Sequence, residues 1–283
     1  PYIIYIRCHP FSFVVALWAK WKGVRVFQEV NGPYQDLFIA WPWTTCFRSF
    51  FKMLYRKQFE WAEHIIVVTS GLKEFVKQEA KHERITVISN GVNIKIFNQD
   101  AKTSYELPDR FVVFFGTFSR WHGISLLLDA VDHPEWPEEI KLVFIGDGVE
   151  KKSIENKSKI SKKVIYLGRK PYKEIGGIIA KAIAGLVPIQ NIEGRALTGL
   201  APLKLFETIA CGVPVIVSDQ PEQADFVKKN KCGWIVKQQT PENWAKAVKS
   251  VSQQNFVDLR LNRKLIESIS WEHHASKLNA LIR

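Results

Sequence analysis

Thr198 to Asp219 reads TGLAPLKLFETIACGVPVIVSD: a Gly/Pro-containing loop, a short helix and an apolar strand arranged around one acid, Glu207. Leu203, Leu205, Phe206, Ile209 and Ala210 are helix formers or core fillers, and Gly212 and Pro214 stop the helix. Val215, Ile216 and Val217 form the uninterrupted apolar run of a strand buried on both faces of a parallel sheet. The backbone N–H groups of Ala201, Pro202's successor Leu203 and Lys204 open the helix, and their partial positive charge suits an anion. One turn further in, Glu207 can accept hydrogen bonds from a diol. Taken by itself, the segment also admits an ordinary loop, helix and strand with a solvated Glu.

Working outward, the same grammar repeats. NGVNIKIF, Asn90 to Phe97, follows an expected strand at Ile85 to Ser89, and Asn-Gly is a strong turn signal. FVVFFGTFSRWHG, Phe111 to Gly123, is a strand and a glycine loop leading into a helix over Ile124 to Val131. KLVFIGDG (Lys141 to Gly148) and KVIYLG (Lys163 to Gly168) are two further strands ending in glycine, with Arg169 and Pro171 just beyond. Strand, glycine, helix in alternation predicts a doubly wound α/β architecture, whose ligands bind at the carboxyl ends of the strands. Gly116, Thr117, Arg120, His122 and Gly123 occupy one such end. A guanidinium fork matches phosphate geometry, which favours Arg120 as an anion contact, although a solvated Arg at a loop tip fits as well. Gly146 and Gly148 read as turn glycines.

In these segments the chain resembles the retaining glycosyltransferases of family 4, the group 1 glycosyl transferases. The hallmark of that family is Glu, seven residues, Glu, then Gly and Pro-Val. Glu207 matches the second Glu, and Gly199 stands where the first is usual; APLKLFE is similar to a subgroup's SPLKLFE-like variant. NGVNIKIF resembles the family's Asn-Gly-Val-Asp turn with Asn93 in place of Asp, and the basic pair that grips the diphosphate in the family falls on Thr117 and His122. The resemblance implies a GT-B fold: two Rossmann-like doubly wound domains facing across a cleft, the first incomplete. It divides the chain into residues 1–108, an acceptor-side domain; 109–268, a donor-binding domain; and 269–283, a terminal helix beginning near Trp271 that crosses back to the first domain.

The activity implied is transfer of a hexose or related sugar from a UDP- or GDP-linked nucleotide sugar to a hydroxyl acceptor with retention, in cell-surface polysaccharide or glycolipid synthesis. The roles carried over place Arg120 and the loop Gly199, Leu200, Ala201, Pro202, Leu203 and Lys204 on the diphosphate. Glu207 falls on the ribose, His122 near the donor, and Arg169 near the base, with Gly116, Thr117 and Gly123 in the donor loop. Asn31 and Gly32, in EVNGPYQD, match the acceptor-side loop. No cofactor and no metal are expected, because the family stabilises the leaving diphosphate with helix dipole and basic side chains.

Composition agrees with this organisation. The 283 residues, 46% of them hydrophobic, suffice for two cores. The chain starts at Pro1 and has its only Met at position 53, which reads as an N-terminal truncation. Cys8, Cys46, Cys211 and Cys232 form no CxxC pair, in keeping with free thiols and a cytoplasmic setting. His273 and His274 are adjacent and point apart, and His64 and His82 lack partners at ligand spacing. The net charge of +12 is spread along the chain, which disfavours a nucleic-acid-binding arm.

Around Trp18 to Lys22 and Trp41 to Trp61, aromatic residues interleave with Lys20, Lys22, Arg48, Lys52, Arg56 and Lys57. Such a surface suits an anionic membrane and a lipid-linked or saccharide acceptor at its inner face, and equally a helix packed on its own domain. Phe11 to Ala19 is too short to span a bilayer. Two other functions remain open. A sugar-nucleotide epimerase of the same fold needs acid/base side chains, for which His9, Glu29 and Asp36 are the candidates; a catalytically silent nucleotide-sugar-binding module is consistent with Gly199, Thr117 and His122.

Overall fold

The computed structural model describes residues 2–192, 194–253 and 263–282. Position 193, positions 254–262 of the expected donor domain and position 283 of the terminal segment lie outside the described residues. The chain divides into two compact units, one of Pro1–Ser89 with Glu193–Ala201, the other of Asn90–Ile192 with Pro202–Arg283.

The first unit is a parallel sheet of β1 (Ile3–Arg7), β2 (Arg25–Val30), β3 (His64–Val67) and β4 (Ile85–Val87), in that spatial order. Between the strands run α1 (Phe13–Trp21), α2 (Gln35–Ala40), α3 (Arg48–Trp61) and α4 (Ser70–Ala80). The core holds Val30, Phe59, Ile65, Val67 and Leu72, contributed by strands and helices that alternate along the chain. Residues of the 193–201 segment join this unit through α4, where the Thr69 hydroxyl donates to the Thr198 carbonyl at 2.5 Å and Ala201 packs on the core.

The second unit contains β5 (Phe111–Thr117), α5 (Ile124–Ala130), β6 (Lys141–Asp147), α6 (Lys151–Ile160), β7 (Val164–Tyr166), α7 (Tyr172–Ile179) and β8 (Ala184–Val187). It continues with α8 (Leu203–Ala210), β9 (Val215–Ser218), α9 (Gln223–Asn230), β10 (Gly233–Val236), α10 (Pro241–Gln253), α11 (Arg263–Ser268) and α12 (Trp271–Ile282). Its six strands are all parallel in the order β10-β9-β8-β5-β6-β7, the doubly wound order in which the chain reverses direction across the sheet between β5 and β8. Phe111 to Phe115 and Val215 to Val217 are buried throughout, as continuous apolar runs in a two-sided parallel sheet must be.

The units meet in sequence at Ser89/Asn90, not at residue 108. Residues 90–108 pack on the second unit because Gly176 and Gly177 of α7 carry no side chain and admit the backbone at Ile96 and Lys102. Val92 forms a parallel bridge with Ser270, whose hydroxyl caps α12 by accepting from the His273 N–H at 3.1 Å. All four cysteines are free.

Candidate functional site

In the second unit the carboxyl ends of β5, β6 and β7 open on a cavity of about 1090 Å³. Gly116, Thr117, Asp147, Arg169 and Tyr172 line it, joined by the turn at Gly148. Gly116 pairs with Gly146 in the ladder, and both have positive φ, 115° and 141°. A Cβ on Gly146 would overlap the Gly116 carbonyl oxygen, so glycine is required here for two backbones to approach closely. Asp147 Oδ1 accepts the Gly148 N–H at 2.8 Å and fixes the turn.

Behind Gly116 lies Lys204, on the first turn of α8. Its side chain is buried, its Nζ is 3.8 Å from the centroid of the Phe114 ring, and it makes no hydrogen bond. The same Nζ lies 3.8 Å from the position a Cβ on Gly116 would take, so a wall residue without a side chain separates a buried amine from the cavity. Burial pushes the Lys204 ammonium down to about 7, against the pull of the nearby Glu207 carboxylate. Burial pushes the Glu207 carboxyl up to about 7, opposed by a hydrogen bond from the Tyr172 phenol and by the Lys204 charge. Tyr172 in turn is pushed up to about 12 by burial and by Glu207. No side chain caps the N-terminus of α8, which follows Pro202.

The sequence-derived candidates separate into groups. Gly116, Thr117 and Arg169 line the cavity, and Lys204 and Glu207 stand just beneath it. Leu203 is half exposed at the start of α8, next to Pro202. Gly123 precedes α5 with φ 61°, and His122 Nδ1–H donates to the Thr117 carbonyl at 2.5 Å, so the imidazole braces the loop. Arg120 is exposed on a single 3-10 turn, within electrostatic reach of Glu150, and is not part of the cavity wall. Gly199, Leu200 and Ala201 group with the first unit, so the expected donor loop 199–204 divides at Ala201/Pro202.

Tyr172 and Asp147 line the cavity without being singled out by a motif. Asp147 closes β6 directly after Gly146, and Tyr172 opens α7 beyond the end of β7, so both stand at the carboxyl edge of the sheet, and that position carried the signal.

The first unit has its own cavity of about 400 Å³, which Asn31, Gly32, His9, Asp36 and Trp41 help to line. Asn31 Nδ2 donates to Glu29 at 2.6 Å while its Oδ1 is buried without a hydrogen-bond partner. A Cβ on Gly32 would overlap the Asp36 carboxylate.

Two Rossmann-like units, each built on a parallel sheet, are the architecture of the GT-B class of glycosyltransferases. Residues 95–269 match the family model "Glycosyl transferases group 1" and residues 1–96 match "Glycosyltransferase Family 4". The chain belongs to the group 1 glycosyl transferase family. No curated protein matches it by sequence.

Among solved structures, it is similar to sucrose-phosphate synthase from Thermosynechococcus elongatus, with TM-score 0.78 and 16% identity over 100% of this chain and 73% of that one. It is also similar to Anabaena Alr3699/HepE in complex with UDP, with TM-score 0.77 and 16% identity over 99% and 78%. A third similar structure is the lipopolysaccharide outer core galactosyltransferase WaaB, with TM-score 0.70 and 19% identity over 100% and 75%. At these identities the likeness establishes the fold.

Proposed function

We propose that this glycosyltransferase transfers a sugar from a nucleoside-diphosphate sugar to a hydroxyl acceptor with retention of anomeric configuration, in the synthesis of a cell-surface polysaccharide or glycolipid. The observation that carries the reading is the buried Nζ of Lys204, without a hydrogen-bond partner and separated from the strand-end cavity only by Gly116. A buried amine is costly to charge, and a diphosphate in the cavity would offset that cost by restoring its proton. With Thr117 and His122 in the loop where the family carries a basic pair, Lys204 is the cation best placed to take over that work.

In this reaction the bond between the anomeric carbon and the diphosphate oxygen breaks, and one forms to the acceptor oxygen, whose hydroxyl proton leaves with the diphosphate. The charge that develops on the diphosphate is met by Lys204 and by the positive end of the α8 dipole. Arg169 and Tyr172 line the same cavity and contact the nucleoside, with the Glu207 carboxylate held by Tyr172 and available to a ribose diol. Arg120, exposed and outside the cavity wall, contributes at most to long-range attraction. In the first unit, the cavity at Asn31 and Gly32 receives the acceptor, with the unpartnered Asn31 Oδ1 as an acceptor for one of its hydroxyls. Bound UDP in the HepE structure supports a uridine nucleotide as the first donor to try.

Incubation with UDP-linked sugars and a panel of saccharide and lipid-linked acceptors, followed by NMR of the new glycosidic bond, tests the proposal. It predicts a product with the donor's anomeric configuration, formed equally well with a chelator present. An inverted product, or turnover abolished by the chelator, contradicts it. A donor epimerised without any acceptor would identify the epimerase alternative instead.

A further inference from the structure

The packing of residues 90–108 on the second unit reaches the rim of its strand-end cavity. Gly176 and Gly177 let the backbone at Ile96 and Lys102 lie against α7, and the buried Phe97 meets the Tyr172 ring edge-on with centroids 5.1 Å apart. Tyr105, half-buried, touches the start of the same helix. Its hydroxyl donates to the Glu174 carboxylate, and the Lys170 ammonium lies 4.2 Å from the centroid of its ring.

Lys170 lines the cavity beside Arg169 and Tyr172, and Glu174 follows in the first turn of α7. A Lys and a Glu four positions apart around a helix start are close enough to pair, and an ammonium paired with a carboxylate is a weaker cation for any other anion. Tyr105 engages the two groups separately. Its hydroxyl occupies the carboxylate, while its ring face attracts the ammonium without neutralising it, so Lys170 keeps its charge at the cavity. Tyr105 itself stands outside the cavity wall.

The geometry points to Tyr105 as a positioning residue for nucleotide binding: it holds Lys170 at the cavity as a second cation for a nucleoside diphosphate and keeps Glu174 from pairing with it. The inference rests on the donor-site reading of this cavity and adds two residues to it. Lys170 touches the ligand, and Tyr105 acts only through Lys170. The segment that leads into the second unit thereby takes part in forming its binding site, although it lies outside every strand and helix of the sheet.

The test is calorimetric titration of the full chain with UDP, GDP and ADP over a series of salt concentrations, alongside Tyr105→Leu, Lys170→Met, Glu174→Gln and the double variant Tyr105→Leu/Glu174→Gln. The nucleotide that binds the wild type should bind Tyr105→Leu and Lys170→Met about fivefold more weakly, each with a shallower dependence on salt, the mark of a lost cation. Glu174→Gln should bind as the wild type does. Added to Tyr105→Leu, it should restore most of the affinity, because no carboxylate then competes for Lys170; loosening of the 90–108 segment alone would not be repaired in this way. Wild-type affinity in Tyr105→Leu, or a loss that Glu174→Gln leaves unrepaired, overturns the inference and leaves the donor site standing. Failure of all three nucleotides to bind the wild type removes the donor-site reading and this inference with it.

Discussion

The Nζ of Lys204 sits 3.8 Å from the centroid of the Phe114 ring, with Glu207 one helical turn further along α8 and no hydrogen bond to the amine. An aromatic face is weak compensation for lost hydration, so the Lys204 amine is held in a costly environment. Sites that bind charged ligands trade stability for function in this way.

Lys204→Met keeps the side-chain length and removes the amine. It should raise the thermal midpoint by about 3 °C or more, as expected for relief of about 1 kcal/mol in a unit of this size. Differential scanning calorimetry of the empty protein checks this, and a lowered midpoint would show that the amine stabilises the fold.

Stability of the empty protein should pass through a minimum near neutral pH. Glu207 holds its proton in the folded state up to about 7, above the ordinary 4.5, so the native chain binds more protons than the unfolded one across that interval and stability falls as pH rises through it. Lys204 sheds its proton near 7 instead of 10.5, so above 7 the native chain binds fewer protons and stability rises. Urea titrations at pH 4.5, 7 and 10.5 should show both slopes in the wild type and lose them in Lys204→Met/Glu207→Gln. A wild-type profile identical to that of the double variant is incompatible with the buried pair.

Tyr172→Phe removes the hydrogen bond that favours the charged form of Glu207, and should raise that carboxyl further while weakening nucleotide binding by about tenfold, the cost of a group left unsatisfied. Titration of UDP against pH measures both effects together. Unchanged affinity would place Tyr172 outside the binding machinery.

How much of this was legible beforehand differs between the fold and the site. Val215 to Val217 and Phe111 to Phe115 showed parallel, two-sided burial directly, because every position in such a strand is apolar. Glycines after strands marked the ligand edge of the sheet for the same kind of reason: only glycine lets the backbones at Gly116 and Gly146 approach. Lys204 was legible as a cation near a helix start, but its burial was not, since that depends on Phe114, ninety positions away. Tyr172 meets Glu207 only because α7 packs against α8, a tertiary relation that no local spacing encodes. The division of the loop at Ala201/Pro202 was hidden similarly, in the bond from Thr69 to the Thr198 carbonyl.

Gly146→Ala should disable the second unit more severely than any change to a cavity side chain. A methyl group there overlaps the Gly116 carbonyl and forces an L residue to φ 141°, which costs on the order of 3 kcal/mol or more. Circular dichroism melts check this, and a variant with wild-type stability would mean that the two strand ends are free to separate.

The central claim is that the β5–β6–β7 cavity binds a nucleoside diphosphate through Lys204. Calorimetric titration of the full chain with UDP, GDP and ADP, in parallel with Lys204→Met and Glu207→Ala, tests it most directly. The account predicts that one nucleotide binds the wild type, with proton uptake above pH 7 that disappears in Lys204→Met, and that both variants lose at least about tenfold in affinity. Binding of the same strength to the wild type and to Lys204→Met, or no binding of any of the three to the wild type, would contradict it.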